Sequence, residues 1–243
     1  MTIIRSAIFF AWFAFISVLL NIGFLPVLFL PGEGGARFAG RVWCSAVLWG
    51  LKIFAGLGYE VRGSVPPDGA LVASKHMSMW DTVTLYLLLN RPVFVLKQEL
   101  FRVPFYGWYT KKQSNIAIDR EAGASALRKM SAEARAALAR GQAVVIFPEG
   151  TRKAPEAAPD YKPGVAGLYS QLGRPCVPVA LNSGLFWQNF TKRRGTITVE
   201  FLPPIPPGLR SRDFMAALES SIETAQARLL ADGRAQLAGI ERR

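Results

Sequence analysis

Two hydrophobic patterns follow one another along the chain. From Ser6 to Gly32 no charged residue occurs, and the run IFFAWFAFISVLLNIGFLPVLFLPG (8–32) is longer than the roughly 20 residues an apolar helix needs to cross a bilayer. Asn21, Gly23 and Pro26 interrupt it, so the run fits either a span or a re-entrant or in-plane hairpin. It is longer than the ~7–15 apolar residues of a secretory signal and has no small-x-small exit before Pro31, which predicts an anchor instead. The next stretch, ARFAGRVWCSAVLWGLKIFAGLGY (36–59), sets Trp43, Leu48, Leu51 and Phe54 among the sparse cations Arg37, Arg41 and Lys52. That mixture predicts an amphipathic helix at a membrane interface.

After about residue 60 the period changes. Short apolar runs at 70–74, 92–97, 114–118, 143–148, 176–181 and 196–202 predict strands, and amphipathic stretches at 81–89, 99–111, 123–140 and 163–172 predict helices between them. In 123–140, Leu127, Met130, Ala134 and Leu138 recur at helical spacing while Arg128, Lys129 and Arg135 take the opposite face. A last helix, with Ser211 as its cap, places Phe214, Leu218, Ile222 and Leu229 near one face; LPPIPPG (202–208) cannot extend a central strand. Strands alternating with helices predict an α/β fold, a largely parallel sheet flanked by helices. The predicted organisation is a membrane anchor and amphipathic helix at 1–58, then a catalytic domain at 59–243.

Charge narrows the partners. Twenty-nine Lys and Arg against 17 Asp and Glu leave a formal charge of +12, which attracts nucleic acid, anionic membrane or phosphate-bearing substrates. The apolar run argues against nucleic acid and for an anionic membrane surface. Cations after the run (Arg37, Arg41, Lys52) outnumber Arg5 before it, so the positive-inside bias predicts an inner (cytoplasmic) membrane protein whose catalytic domain faces the cytoplasm. Cys44 and Cys176 lie far apart with no C-x-x-C spacing, and no metal ligand set is evident.

The candidate chemistry falls just beyond the carboxyl ends of predicted strands: Lys75-His76 after 70–74, Asp119-Arg120 after 114–118, and PEGTR (148–152) after VVIF. Open α/β sheets collect ligands in that crevice. His76, the chain's one histidine, stands five positions before Asp81. On one continuous helix the two would point about 140° apart, so they meet only if the chain turns between them. The carboxylate would then orient the ring, and the other ring nitrogen could take a proton from a substrate hydroxyl. H-x4-D alone also arises by chance in surface histidines. FPEGTR is denser: Pro148 and Gly150 suit a tight strand-exit turn, and Arg152 offers a planar fork for a phosphate.

Taken together, KHMSMWD (75–81), AIDR (117–120), FPEGTR (147–152) and VPVAL (177–181) resemble, in order, the four motifs of the glycerolipid acyltransferases, the family of 1-acyl-glycerol-3-phosphate acyltransferases. With VLKQELFRVPFYGW (95–108) and YKPGVAGLY (161–169) the resemblance covers roughly residues 60–185, and Lys75 departs from it where many members have Asn. It implies transfer of a fatty acyl group from acyl-CoA or acyl-acyl carrier protein to the sn-2 hydroxyl of lysophosphatidate. His76 would be general base and Asp81 its orienting partner. Lys97, Arg120 and Arg152 would hold the acceptor phosphate, Glu149, Gly150 and Thr151 would shape its pocket, and no metal or redox cofactor is required. The closest alternative acceptor is another lysolipid, such as lyso-ornithine lipid. A lipid hydrolase would need a nucleophile, and no G-x-S-x-G elbow occurs. A non-catalytic polyanion binder would need only the charge.

Overall fold

The computed structural model describes residues 2–119 and 122–242, apart from the side chain of Glu241. Two helices lead: α1 (Thr2–Gly23) and α2 (Gly34–Gly50), the latter continued by a wider helical turn at Leu51–Ala55. They fold back on each other, since Trp12 Nε1 donates to Ala46 O at 3.0 Å and Trp43 Nε1 to Ser17 Oγ at 3.0 Å. The reversal falls at Phe24–Phe29, where Pro26 lies in a short 3-10 turn.

The rest is a sheet with helices on both faces: β1 (Leu57–Arg62), β2 (Leu71–Ser74), α3 (Met79–Leu88), β3 (Val93–Lys97), α4 (Tyr106–Lys112), β4 (Ile116–Ile118), α5 (Gly123–Ala139), β5 (Val144–Ile146), α6 (Gly164–Leu172), β6 (Cys176–Leu181), α7 (Ser183–Phe186), a short hairpin of β7 (Trp187–Gln188) and β8 (Thr191–Lys192), β9 (Gly195–Phe201) and α8 (Ser211–Glu241). The seven-stranded order is β1-β9-β6-β2-β5-β3-β4. Every pairing in it is parallel except β6 with β9. The largely parallel sheet expected from the alternating pattern is therefore present.

Strand alternation divides the core. Leu71, Ala73, Val93, Val144 and Ile146 pack with α5, α6 and the start of α8, whereas Val72, Phe94, Val145 and Val179 pack with α3 and the N-terminal pair. Phe9, Ile16, Val47 and Leu51 belong to this second cluster, so the N-terminal hairpin shares the sheet's core. Its other side is apolar and open: Ile4 is 66% exposed, Phe15 59% and Val18 61%. Both leading helices are long and apolar enough to cross a membrane by length and composition. Mean hydropathy falls from 2.2 in the first to 1.2 in the second, in keeping with the cations of α2.

Four expectations change. The helix expected at 99–111 is broken: Gln98–Arg102 is a 3-10 turn, Val103 is extended before Pro104, and Phe105 takes a φ of 60° before α4 begins. Proline disfavours a helical residue ahead of it, which accounts for the break. The strand at 114–118 starts only at Ile116, because Ser114 has a φ of 61°. Ser211 opens α8 but does not cap it; Arg210 occupies that position without a side-chain cap bond, and Arg210 Nε instead donates to Asp213 at 2.7 Å. β1 adds an edge strand to the sheet that the sequence reading does not include.

Candidate active site

β2, β5, β3 and β4 end on the same pole of the sheet, and the candidate residues leave from there. After Ser74 the chain keeps one more ladder bond, Lys75 N to Val179 O at 2.9 Å, then turns through His76 and Met77 into α3. Ser78 is the N-cap: its Oγ accepts from Trp80 N, and Asp81 reaches back to accept from Ser78 N at 2.9 Å, completing a capping box. Ser-x-x-Asp ahead of an apolar run is a readable sign of such a box. Ser78 is not among the sequence-based candidates, although this local sign points to it.

The box fixes the carboxylate beside the histidine. Asp81 Oδ2 lies 2.9 Å from His76 Nδ1 and also accepts from Met77 N at 2.6 Å. Oδ1 accepts from Ser183 Oγ at 2.5 Å, and the Ser78 hydroxyl lies 3.2 Å from Oδ1 and 2.9 Å from Ser183 Oγ. Asp81 is fully buried, while the His76 side chain keeps 12% of its surface open. Oδ2 offers lone pairs to Nδ1, so Nδ1 is the donor nitrogen of this contact, and in the neutral ring Nε2 then carries the lone pair. The ring stacks on Phe147 at 3.9 Å between centroids and 18° between planes, and His76 O accepts from Lys153 N at 2.9 Å. A face-on aromatic contact and a buried carboxylate together hold the ring in one orientation. Ser183 lies 102 positions from Asp81 and has no local signal in the sequence.

FPEGTR forms the turn expected of it: Gly150 N donates to Phe147 O at 2.9 Å, with a Gly150 φ of 65°. Glu149 points inward. It is 1% exposed, pairs through Oε1 with Lys75 Nζ at 3.0 Å, and leaves Oε2 buried without a partner among the described residues. Lys75 also pairs with Glu223 Oε1 of α8 at 2.7 Å, and Tyr161 donates to the same oxygen at 2.7 Å. Burial, reinforced by that hydrogen bond to Glu223, pushes the Tyr161 phenol well above its ordinary range, so it remains a donor. Lys75 thus sits in a buried ionic cluster, joined by Glu223 from α8 and by Tyr161 from the 161–169 stretch, neither of which is among the sequence-based site candidates.

Thr151 and Arg152 are exposed beyond the turn, and Lys97 is exposed at the end of β3, level with Ile118 of β4. Arg120 lies outside the described residues. His76, Asp81, Lys97 and residues 149–152 therefore share one pole of the sheet, with Glu149 facing inward and Lys97, Thr151 and Arg152 facing outward.

Residues 59–182 match the protein family described as Acyltransferase. The chain belongs to the acyltransferase family. It is 35% identical over 194 residues to the 1-acyl-sn-glycerol-3-phosphate acyltransferase of Pseudomonas aeruginosa, covering 78% of this chain and 75% of that one. It is 30% identical over 211 residues to the human 1-acyl-sn-glycerol-3-phosphate acyltransferase alpha, covering 82% of this chain and 74% of that one. The fold of this acyltransferase is that of the Thermotoga maritima 1-acyl-sn-glycerophosphate (LPA) acyltransferase PlsC: the TM-score is 0.75 at 20% identity, over 94% of this chain and 98% of the other.

Proposed function

We propose that this acyltransferase transfers a fatty acyl group from an acyl thioester to the sn-2 hydroxyl of 1-acyl-sn-glycerol 3-phosphate, giving phosphatidate. The observation that carries the proposal is the contact of His76 Nδ1 with buried Asp81, which leaves Nε2 as the nitrogen to take a hydroxyl proton. The names of its relatives supply the substrate class.

In the proposed step, Nε2 takes the proton as the hydroxyl oxygen attacks the thioester carbonyl, and Asp81 stabilises the imidazolium. Collapse of the tetrahedral adduct breaks the carbon–sulfur bond, and the departing thiolate recovers the proton from His76. A positioned base of this kind contributes about 10²–10⁴-fold. No enzyme nucleophile, metal or redox cofactor enters the step, so a chelator is expected to leave the rate unchanged. Lys97 and Arg152 receive the acceptor phosphate, with Arg120 joining them on the sequence reading alone. Gly150 and Thr151 line the turn, and Glu149 supports it from within.

Acceptor and product are lipids, and the open apolar side of the N-terminal hairpin suits a protein held at the bilayer surface. We place it on the inner membrane with its catalytic domain in the cytoplasm, where either acyl-CoA or acyl-acyl carrier protein can reach it. The test is acyl transfer by detergent-purified protein to lysophosphatidate and to lyso-ornithine lipid, with each donor and with His76→Ala alongside. Phosphatidate formation that vanishes in the variant supports the reaction and the base. Transfer to the ornithine lipid alone overturns the acceptor, and equal activity in folded His76→Ala overturns the mechanism.

A further inference from the structure

At the opposite pole of the sheet, where α3 ends and β3 begins, a cavity of about 360 Å³ opens between α2 and the α3–β3 turn. Its walls include Arg37, Arg41, Tyr86, Asn90 and Arg91. The 10 residues of α3 separate it from His76 by about 15 Å of helix rise, so it is not the acceptor crevice.

The three arginines play different parts. Arg37 is buried and braces the wall: its Nη atoms donate to Pro92 O at 3.0 Å, Gln113 O at 2.8 Å and Glu33 Oε2 at 3.1 Å, while its Nε is buried without a partner among the described residues. Arg41 is exposed, and among the described residues its guanidinium makes only a long 3.5 Å contact, with Leu87 O. Arg91, at a φ of 42°, spends one nitrogen on Arg140 O at 2.6 Å. The nearby carboxylates are already engaged, Glu33 with Arg37 and Gln142, and Asp68 with Asn90. Arg41 and Arg91 therefore keep unspent N–H donors at a concave site whose positive charge is only partly balanced.

We propose that this cavity binds a phosphate group, that of an anionic membrane phospholipid. Guanidinium forks match phosphate oxygens in charge and geometry. The lipid source follows from the cavity's surroundings: Arg41 belongs to one stripe of α2 with Phe38, 60% exposed, and Trp49, 51% exposed. Exposed aromatics interleaved with cations are the composition of a surface that meets lipid head groups.

The test titrates dihexanoyl phosphatidylglycerol, dihexanoyl phosphatidylcholine and inorganic phosphate, the lipids below their micellar concentrations, into the full detergent-solubilised chain by calorimetry. Arg41→Gln with Arg91→Asn removes the free donors, and asparagine tolerates the positive φ at position 91. Arg5→Gln with Lys52→Gln removes the same charge elsewhere on the N-terminal pair. The expected result is saturable phosphatidylglycerol binding, stronger than for phosphatidylcholine, weakened roughly 10–30-fold in the Arg41/Arg91 variant and unchanged in the control.

Acyl transfer in detergent should be retained by both folded variants. Unchanged binding in the Arg41/Arg91 variant, or an equal loss in the control, overturns the site. Inorganic phosphate binding as tightly as the lipid overturns the lipid source. Parallel loss of acyl transfer in the folded Arg41/Arg91 variant means these arginines serve the reaction and overturns a separate site. Binding is read without turnover, so failure of the proposed reaction leaves the result legible.

Discussion

Lys75 Nζ stands 3.0 Å from Glu149 Oε1 with both side chains shielded from solvent, so one buried cation ties the residue before His76 to the FPEGTR turn. Its second partner, Glu223, extends the tie to α8. Removing the cation leaves two carboxylates facing each other, and breaking a buried pair from one side costs about 3–5 kcal/mol. Lys75→Met is expected to lower the unfolding free energy by that order in denaturant titration. Lys75→Met combined with Glu149→Gln should recover part of the loss, and a double variant no more stable than Lys75→Met would contradict the coupling.

Asp81→Asn tests the charge beside His76. Met77 N and Ser78 N hold an amide oxygen where Oδ2 now stands, so the ring keeps its partner but loses the negative charge that stabilises the imidazolium, and kcat should fall by about 10²–10⁴ while KM changes little. Ser183→Ala removes one bond to Oδ1 and leaves the Nδ1 contact in place. It should cost about 0.5–1.5 kcal/mol of stability and much less of kcat. Equal kinetic losses in the two variants would assign the effect of Asp81 to folding.

Lys192 supplies a pH signature. Its side chain is enclosed between the rings of Phe10 and Trp187 and donates to Asn189 O at 2.5 Å, and burial lowers its pKa to about 8 from 10.5. Between those values the unfolded chain binds more protons than the folded one, so this group makes stability rise with pH through that window. Measured against Lys192→Met, the wild type should be at its greatest disadvantage below pH 8 and should gain on the variant as pH increases toward 10. A difference that stays flat over this range would exclude the shift.

Gly63 closes the end of β1 at a φ of 74°, and a Cβ there would lie 2.0 Å from Phe201 O. Neither the φ nor a backbone oxygen can yield cheaply. Gly63→Ala is expected to cost at least about 1–2 kcal/mol. Gly58→Ala, with nothing within 4 Å of the added carbon, is the matched control and should melt near the wild-type temperature. Similar melting of the two variants would contradict the strain at Gly63.

Locally encoded features were legible in the chain. The alternation at 70–74 sends Val72 and its neighbours Leu71 and Ala73 to opposite cores, as a strand of period two must. The capping box of Ser78 and Asp81 spans three positions and was present to be read. The continuous helix expected at 99–111 failed for an equally local reason, because Pro104 outweighs the apolar spacing around it.

What remained illegible depends on residues far apart in sequence. β1 is a strand by virtue of β9, which it meets from Leu57 and Gly195 onward, and its exposed central residues carry little periodic signal. Ser183 reaches Asp81 across 102 positions, and Glu223 reaches Lys75 across 148. The alternating elements, the apolar N-terminus and the His76–Asp81 spacing can be read from the chain, because periodicity and caps act over a few residues. The full burial of Asp81 with its oxygens engaged and the inward turn of Lys75 come only from the packed fold, because burial and long-range pairing are set when the sheet and α8 come together.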